Sequence, residues 1–489
     1  MLVLDLVRYH EHLKGTKIGC REGDCGACTI LIGELTEGRL RYRSATSCLT
    51  ALGNVHGKQV VTVEGLNPER SVRSKGPDGN GDGGNGDGHK GLPLNPLQQA
   101  ICEEGGTQCG FCTPGFIVSM AGFCLAEEEP VIRNAVAAVD GNICRCTGYK
   151  SIERALGRVV ALLQARPAGE DRIPFLVSKG VLPPWFKDIR QRLEALSPES
   201  DGMFREDGRH TGALLPEHNG HPGTQFLGGG TDLYVQRHET MPAANIRFLV
   251  HGEEMRRVVQ QGRRCIIGGG ATVTDLLESP VIRQGFPQFD SYARLISSTP
   301  IRNIATVAGN FVNASPIGDL SIFFLAMDAR LMLTDGRSTR HLPLREFFLG
   351  YKVLDKRPGE WIGQIIFDLP DTDERCHFEK VSKRTNLDIA SVNTAIRIRM
   401  KGDRIMDAHL AAGGVGPVPA YLVRTSAAMR GQRLQEQLVL DIIGLARTEI
   451  SPISDVRGTA AYKSLLLGQL IKAHFLTLFP TLVGEKMLE

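Results

Sequence analysis

Eight of the twelve cysteines in this 489-residue chain fall into two groups of four, and this grouping constrains the fold more than any other feature. The first group has the spacing Cys20-x4-Cys25-x2-Cys28 and is completed by Cys48. The second group has the spacing Cys109-x2-Cys112-x31-Cys144-x-Cys146. Glycines lie between the first three cysteines, and glycine adopts tight backbone conformations at little steric cost. The sequence therefore predicts two loops that each wrap a small, rigid group.

The two spacings favour iron–sulfur clusters over structural zinc. A C-x4-C-x2-C run with a distant fourth cysteine is the plant-type spacing for a [2Fe-2S] cluster. Structural zinc sites usually combine two C-x2-4-C or H-x3-5-H units, and the Cys144-x-Cys146 pair is a poor chelate for a tetrahedral ion. We predict a [2Fe-2S] cluster at each group, with a zinc-binding interaction protein as the alternative from a different class.

The residues around the two groups differ in their hydrophobic period. Between Cys28 and Cys48 the chain alternates as in a β-hairpin. Around the second group, apolar residues recur with helical spacing in LNPLQQAICEE, TPGFIVSMAGFCL, EPVIRNAVAAV and TGYKSIERALGRVVALLQ. Thr113 directly follows Cys112 and Thr147 directly follows Cys146, so we predict that each threonine caps a helix whose positive end faces the cluster.

Composition excludes several classes of function. A net charge of +3 gives no preference for nucleic acid or for a membrane surface. The N-terminal stretch lacks the features of a signal peptide, and no run approaches the roughly 18 apolar residues of a membrane span. Cysteines without a secretion signal indicate metal or redox use, and we predict a cytoplasmic protein. The remaining cysteines, Cys102, Cys124, Cys265 and Cys376, are predicted as small buried hydrophobes.

Two stretches are predicted as linkers. Residues 67–92 form a Gly/Asp-rich insert whose composition predicts flexible chain. Its glycine spacing imitates a dinucleotide-binding motif and its DGNGDG stretch imitates a calcium loop, but the flanking strands and helices of those motifs are missing from the pattern. The second predicted linker covers 166–215.

A triple glycine follows the second linker. In TQFLGGGTDLYVQ an apolar strand leads into Gly228, Gly229 and Gly230. Consecutive glycines expose N–H groups that can bind a pyrophosphate, and a simple tight turn is the alternative. In GGGATVTDL, we predict a second turn, with Thr274 or Asp275 capping a helix.

The motifs GTKIGCREGDCGACT, GGTQCGFCTPGF and GNICRCTGY resemble the iron–sulfur half of the molybdenum hydroxylases, the family of xanthine dehydrogenase, aldehyde oxidase and carbon monoxide dehydrogenase. STPIRNIATVAGNFVNASPIGDL and FEKVSKR resemble that family's FAD-binding domain, and LAAGGVGPVPAYLVRTSAAM resembles the cap that follows it. The family's first domain opens with a β-hairpin before the helix that precedes GTK. This chain starts within that helix, so we expect the hairpin to be missing and the first cluster to be less stable.

The resemblance implies an α+β multidomain architecture. Its parts are a β-grasp [2Fe-2S] ferredoxin-like domain (1–66), the insert (67–92), a four-helix [2Fe-2S] domain (93–165), the linker (166–215), an α+β FAD-binding domain (216–375) and a C-terminal α+β cap like that of CO dehydrogenase flavoproteins (376–489).

The resemblance also implies site residues. The cluster ligands are the eight cysteines of the two groups. The implied FAD-binding residues are Phe226, Leu227, Gly228, Gly229, Gly230, Thr231, Asp232, Leu233, Thr306, Val307, Ala308, Gly309, Asn310, Asp319 and Lys380. Among them, 306–310 would wrap the pyrophosphate, Asp319 would bind ribitol or ribose hydroxyls, and Lys380 would lie near the flavin. Gln108 would face a molybdopterin held by the catalytic subunit, although an amide that caps its own loop is the alternative.

No stretch of the sequence matches molybdopterin-binding domains, so the resemblance implies an electron-transfer subunit. A separate large subunit would oxidise hypoxanthine or xanthine, and electrons would reach NAD+ through two [2Fe-2S] clusters and FAD. The fusion of iron–sulfur and flavin domains in one chain is similar to bacterial xanthine dehydrogenases. The expected assembly is a heterodimer or an (αβ)2 heterotetramer. A molybdenum hydroxylase acting on aldehydes or N-heterocycles is the alternative, and neither the substrate nor the final acceptor can be read from these residues.

Overall fold

The computed structural model describes residues 1–36, 38–67, 94–196 and 224–484. These residues form two compact units. The first unit contains the described residues up to 196 and the short segment Thr299–Asn303, and the second contains those of 224–298 and 304–484. Apart from Asn67, the predicted insert at 67–92 lies outside the described residues.

The described helices and strands follow in chain order. The helices are α1 (Val3–Asp5), α2 (Pro96–Glu103), α3 (Thr113–Leu125), α4 (Ile132–Ala138), α5 (Lys150–Gln164), α6 (Arg172–Ser178), α7 (Ile189–Ala195), α8 (Leu233–Gln236), α9 (Glu253–Arg256), α10 (Val273–Glu278), α11 (Pro280–Gly285), α12 (Phe289–Arg294), α13 (Thr299–Arg302), α14 (Val307–Asn313), α15 (Asp319–Ala326), α16 (Leu344–Phe347), α17 (Val423–Met429), α18 (Glu436–Arg447) and α19 (Ala460–Leu478). The strands are β1 (Thr29–Thr36), β2 (Arg39–Thr46), β3 (Gln59–Val61), β4 (Gln225–Leu227), β5 (Ile246–Phe248), β6 (Val258–Gln261), β7 (Arg264–Gly268), β8 (Arg330–Thr334), β9 (Thr339–Pro343), β10 (Phe348–Gly350), β11 (Val353–Leu354), β12 (Trp361–Asp368), β13 (Glu374–Val381), β14 (Val392–Lys401), β15 (Arg404–Gly413) and β16 (Ala420–Tyr421).

In the first unit, a small sheet and a helical bundle share one core. β1 and β2 form the predicted hairpin, and β3 pairs with the other edge of β1 in an antiparallel sheet. Helix α3 is apolar on all sides, as expected for a helix surrounded by other elements. The core joins Leu31 and Val61 of the sheet to Phe116 and Leu156 of the helices. The two domains predicted around the two cysteine groups therefore pack as one unit.

The structure differs from the predicted linker at 166–215, because the described part of it is folded. Helices α6 and α7 and the turn between them bury Phe175, Leu182 and Phe186 in the core of the first unit. The side-chain amide of Asn95 donates to the carbonyl of Val181 at 2.7 Å. The Pro and Gly residues near Arg166 favour a linker, whereas the apolar residues that follow pack against α3 and β1 in the core of this unit.

The second unit contains two layered regions. The first is built on a five-stranded antiparallel sheet with the order β6-β7-β12-β8-β9. The second is a four-stranded antiparallel sheet with the order β13-β14-β15-β16. Side chains alternate between the faces of a strand, so Asn393 of β14 contacts α15 on one face and its neighbour Thr394 contacts α19 on the other. Among the described helices, none has both the length and the apolar character needed to cross a bilayer.

Candidate cofactor sites

The first four cysteines meet as two pairs. Cys20, Cys25 and Cys28 lie in the loop before β1, and Cys48 lies just after β2. The Cys25 thiol donates to Cys20, which lowers the pKa of Cys20 to about 5 and raises the pKa of Cys25. The bond between Cys48 and Cys28 likewise lowers the pKa of Cys28 and raises that of Cys48. Each pair thus contains one sulfur that is easily deprotonated, and the thiolate is the form that binds metal.

Backbone groups also point at these sulfurs. The N–H of Cys20 donates to Sγ of Cys25 at 3.4 Å, and the N–H of Glu22 donates to Sγ of Cys20 at 3.3 Å. Hydrogen bonds to ligand sulfurs tune the reduction potential of an iron–sulfur cluster. The loop is therefore folded so that its amides stabilise negative charge on sulfur.

The second four cysteines also meet as two pairs, closer to the surface. Cys112 bonds to Cys144, and Cys109 bonds to Cys146. Cys109 and Cys146 are exposed, whereas Cys144 is buried. Burial, with the bond to Cys144, raises the pKa of Cys112 to about 12. This site therefore has an inner and an outer pair, and the outer pair faces solvent.

The two threonines beside these cysteines do not cap helices as predicted. The N-cap of α3 is Cys112, and the hydroxyl of Thr113 bonds to the hydroxyl of Thr107. Helix α5 starts only at Lys150, and the hydroxyl of Thr147 donates to Sγ of Cys144 at 3.2 Å. The prediction was wrong for both residues, because Thr113 already lies inside the first turn of α3 and Thr147 lies two residues before the N-cap of α5, Tyr149.

The paired arrangement fits a binuclear cluster. In a [2Fe-2S] site with four cysteine ligands, the ligands divide as two on each of the two irons. The eight thiols form four close pairs, two in each group, as two irons at each site would require.

The structure ties the two cysteine loops to each other through Asn142, which the sequence reading missed. Its amide donates to the carbonyl of Gly26 at 3.0 Å and accepts from the hydroxyl of Ser119 at 2.7 Å. A methyl group on Gly115 of α3 would lie 2.2 Å from the carbonyl oxygen of Gly26, so only glycine allows this contact. The loop of the first group is therefore held against the helix that starts at Cys112.

In the second unit, the triple glycine packs against the turn before α14. A methyl group on Gly228 would lie 2.6 Å from Oγ1 of Thr306, and one on Gly229 would lie 1.9 Å from the carbonyl oxygen of Ile304. Gly230 has a φ of +81°, which favours glycine. The structure thus brings together the two stretches that the family resemblance assigns to FAD.

The residues of the second stretch divide between backbone support and polar contacts. Thr306 caps α14 by accepting from the N–H of Gly309 at 3.1 Å. Asn310 accepts from the N–H and the hydroxyl of Ser321 through Oδ1, which orients its amide nitrogen away from Ser321. Val307 and Ala308 are buried in the core, as Leu227 is at the end of β4. The side chains of Leu227, Val307 and Ala308 therefore support the loops from the core, and these residues can contact a cofactor only through their backbone atoms.

Asp232 belongs to a polar network that the sequence did not indicate. Its carboxylate accepts from Nε2 of Gln236 at 2.8 Å, and burial raises its pKa. Gln236 also donates to Oδ1 of Asn313 at 3.3 Å, and Lys352 in the turn between β10 and β11 donates to the same oxygen at 2.5 Å. The segment after the triple glycine, the end of α14 and the β10–β11 hairpin therefore meet in one network around the carboxylate of Asp232. Phe226, Thr231 and Leu233 are half-buried.

Asp319 and Lys380 form a buried ion pair. Nζ of Lys380 donates to Oδ2 of Asp319 at 2.7 Å and to the carbonyl of Leu295 at 2.6 Å. Asn393 of β14 donates to the other carboxylate oxygen of Asp319. Burial raises the pKa of Asp319, and the charge of Lys380 opposes that shift. Asp319, implied for the ribitol or ribose hydroxyls, and Lys380, implied for a position near the flavin, are thus in direct contact.

The other singled-out residues lie as follows. Gln108 is exposed beside Cys109. Cys124 and Cys265 are buried as predicted, but Cys102 is exposed on α2. In GGGATVTDL, the N-cap of α10 is Thr272 and not the predicted Thr274. Asp275, the other predicted residue, does take part in the cap, because its carboxylate accepts from the N–H of Thr272 at 2.9 Å.

Three protein-family models match the chain. The [2Fe-2S] binding domain matches 84–157. The FAD binding domain in molybdopterin dehydrogenase matches 211–370, and the CO dehydrogenase flavoprotein C-terminal domain matches 377–478. The predicted fold class, with iron–sulfur, FAD-binding and C-terminal cap domains, is confirmed.

Relatives are similar along almost the whole chain. Xanthine dehydrogenase of Drosophila subobscura is 27% identical over 97% of this chain and 38% of its own length. Xanthine dehydrogenase of Emericella nidulans is 27% identical over 93% of this chain and 36% of its own length. This chain therefore spans well under half of the length of these relatives.

Among solved structures, a carbon monoxide dehydrogenase chain from Hydrogenophaga pseudoflava is 24% identical, with a TM-score of 0.48 over 51% of this chain and 87% of that chain. The family models cover cluster-binding, flavin-binding and cap regions in the order that the motifs imply. The chain therefore carries a [2Fe-2S] binding domain, an FAD binding domain of the molybdopterin dehydrogenase type and a CO dehydrogenase flavoprotein C-terminal domain.

Proposed function

We propose that the chain is the iron–sulfur and FAD subunit of a xanthine dehydrogenase. It would transfer electrons from a separate large molybdopterin subunit, which oxidises hypoxanthine or xanthine, to NAD+. One observation carries this proposal. A single chain contains two groups of four cysteines, each arranged as two pairs, and two stretches, Gly228–Gly230 and 306–310, that lie against each other. The extended similarity to proteins named xanthine dehydrogenase supports the purine substrate.

The cysteines hold and tune the clusters. Cys20, Cys25, Cys28 and Cys48 would bind one cluster, and Cys109, Cys112, Cys144 and Cys146 would bind the other. When bound, such clusters carry single electrons and FAD exchanges single electrons for pairs. The backbone N–H groups at Cys20 and Glu22 and the hydroxyl of Thr147 stabilise charge on the ligand sulfurs.

The glycine loops would hold FAD through backbone groups. Gly228–Gly230 and 306–310 lie against each other, so their N–H groups can serve one pyrophosphate. The amide of Asn310 is oriented by Ser321 and can donate to a phosphate oxygen. Asp319 would accept from a hydroxyl of the cofactor, and Lys380 would place positive charge near the flavin.

The outer cysteine pair suggests where the large subunit binds. Cys109 and Cys146 are exposed, and Phe111 between the ligands is 47% exposed. Gln108 is exposed at the same loop. We place the molybdopterin subunit on this face, in a heterodimer or an (αβ)2 heterotetramer. We place the complex in the cytoplasm, since no disulfide joins any of the twelve cysteines.

The proposal is tested on protein purified without oxygen. We expect about four irons, four sulfides and one FAD per chain, as two [2Fe-2S] clusters require. The single chain should reduce an artificial dye with NADH but should not oxidise xanthine. Stoichiometric zinc in place of iron would overturn the assignment in favour of a zinc-binding interaction protein.

The substrate is tested on the native complex. Co-purification with the large subunit, followed by assays with hypoxanthine, an aldehyde and an N-heterocycle, separates a xanthine dehydrogenase from another molybdenum hydroxylase. Parallel assays with NAD+, oxygen and a ferredoxin identify the acceptor. Turnover of hypoxanthine with NAD+ is the expected result, and turnover of only an aldehyde or an N-heterocycle would contradict the purine assignment.

A further inference from the structure

Asn393 is a fully buried amide whose two ends have different surroundings. Its nitrogen donates to Oδ1 of Asp319 and, at 3.2 Å, to the carbonyl of Ile317. Its oxygen Oδ1 has no hydrogen-bond partner among the described residues. A buried acceptor without a partner is costly and rare in native proteins. The hydrogen bonds of this buried side chain are therefore made by its nitrogen alone.

The orientation of this amide is fixed by its neighbours. Both atoms that face its nitrogen, a carboxylate oxygen and a carbonyl oxygen, can only accept hydrogen bonds. A flipped amide would place its oxygen against these two oxygens. On the other side, a methyl group at Gly413 would lie 2.1 Å from Oδ1 of Asn393, so the glycine makes room for the amide. Asn393 and Gly413 are direct partners in the β14–β15 ladder.

Asn393 and Lys380 hold Asp319 from both sides. They are direct partners in the β13–β14 ladder, and their side chains lie on the same face of the sheet. Lys380 donates to Oδ2 of Asp319 and Asn393 donates to Oδ1. The carbonyl of Ile317, two residues before Asp319, is held by the same amide. The orientation of this carboxylate at the start of α15 is thus set from the C-terminal sheet.

We propose that Asn393 is a positioning residue of the flavin site, which fixes the carboxylate of Asp319 and thereby the share of positive charge that Lys380 offers to the flavin. This inference rests on the proposed FAD site and adds a residue from the cap to it. With Asn393 in place, the negative charge of Asp319 is shared between two donors. Without it, Lys380 is held more tightly by Asp319 and contributes less to stabilising a reduced, anionic flavin.

The test compares two neighbouring buried residues of β14. Asn393→Leu keeps a side chain that branches at Cγ but removes both N–H donors. Thr394→Val is the matched control, because Thr394 is also fully buried, bonds to Nε2 of His474 at 2.8 Å and does not contact Asp319. FAD dissociation constants, the flavin reduction potential and the melting temperature are measured for the full chain.

We expect Asn393→Leu to raise the FAD dissociation constant at least tenfold and to make the flavin potential more negative, with Thr394→Val unchanged in both. If Asn393→Leu does not fold, Asn393→Ser removes the paired donors without pressing on Gly413 and carries the same test. Equal FAD affinity and potential in the Asn393 and Thr394 variants would overturn the inference. A wild-type chain that binds no FAD would instead refute the proposed function.

Discussion

Nζ of Lys380 lies 2.7 Å from Oδ2 of Asp319, and the two side chains are only 1% and 11% exposed. Removing one partner of such a pair leaves the other charge buried, which typically costs about 3–5 kcal/mol. We therefore expect Lys380→Met to lower the free energy of unfolding by this amount, as measured by denaturant unfolding. Asp319→Asn in the same chain should recover part of the loss, because it removes the stranded charge. A Lys380→Met variant as stable as the wild type would show that the pair is not a buried ionic contact.

A pair of helical glycines gives the second prediction. A methyl group on Gly115 would collide with the carbonyl of Gly26, whereas one on Gly157 of α5 has no atom within 4 Å. Gly115→Ala should lower the melting temperature and speed loss of the iron–sulfur absorbance in air. Gly157→Ala should leave both unchanged or raise stability by up to about 1 kcal/mol through helix propensity. The same melting temperature for both variants would mean that the loop around Gly26 can move away from a methyl group on Gly115 without loss of stability.

The buried histidines give a prediction for pH. Nδ1 of His377 lies 2.9 Å from Nδ1 of His474, and Nε2 of His474 bonds to Thr394. Burial lowers the pKa of His377 from 6.5 to about 4, and that of His474 well below 6.5. Below pH 6.5 the unfolded chain binds protons that the folded chain does not, so stability is lost as the pH falls towards 4. Between pH 7 and pH 5 this linkage amounts to about 2 kcal/mol for His377.

The measurement is the difference between the unfolding free energies at pH 7 and pH 5. His377→Gln should reduce that difference, because glutamine does not titrate. His341→Gln on β9 is the control, since His341 is exposed. An unchanged difference in the His377 variant would refute the linkage.

Single cysteines separate the two clusters. Cys112→Ser should remove one of two distinct paramagnetic signals of the reduced protein, because Cys112 belongs to the inner pair of the second quartet. Cys102→Ser is the control, since this cysteine is exposed on α2 outside both quartets. The measurement is electron paramagnetic resonance with iron analysis. Loss of a signal in the Cys102 variant would contradict the ligand assignment.

Local patterns in the sequence predicted the features that depend on neighbouring residues only, such as turns and hairpins. The spacing of Cys20, Cys25 and Cys28 and the alternation up to Cys48 indicated the first loop and its hairpin. The predicted starts of helices were less accurate. The N-cap of α3 is Cys112, one residue before the predicted Thr113, and the N-cap of α10 is Thr272, two residues before Thr274. The helices after Arg166 were missed because α6 packs on α3 and α7 on β1, and these contacts cannot be read from the residues of the two helices.

Contacts between distant residues could not be read from the sequence. Asn142 holds Gly26 across 116 positions, and Asn393 holds Asp319 across 74. An asparagine is usually a turn residue or an exposed one, and nothing adjacent to either distinguishes it. Both became recognisable only when folding placed their amides beside buried acceptors.

The contact between Gly26 and Gly115 has a consequence for maturation in the cell. The loop from Cys20 to Cys28 is closed by α3 and by Asn142. A scaffold protein that delivers iron and sulfide needs access to all four sulfurs, and Cys28 and Cys48 are buried in the finished unit. If these sulfurs bind a cluster, the folded unit must therefore open around Cys28 and Cys48 for the cluster to enter, so packing as well as the affinity of the quartet for iron controls when this centre is filled.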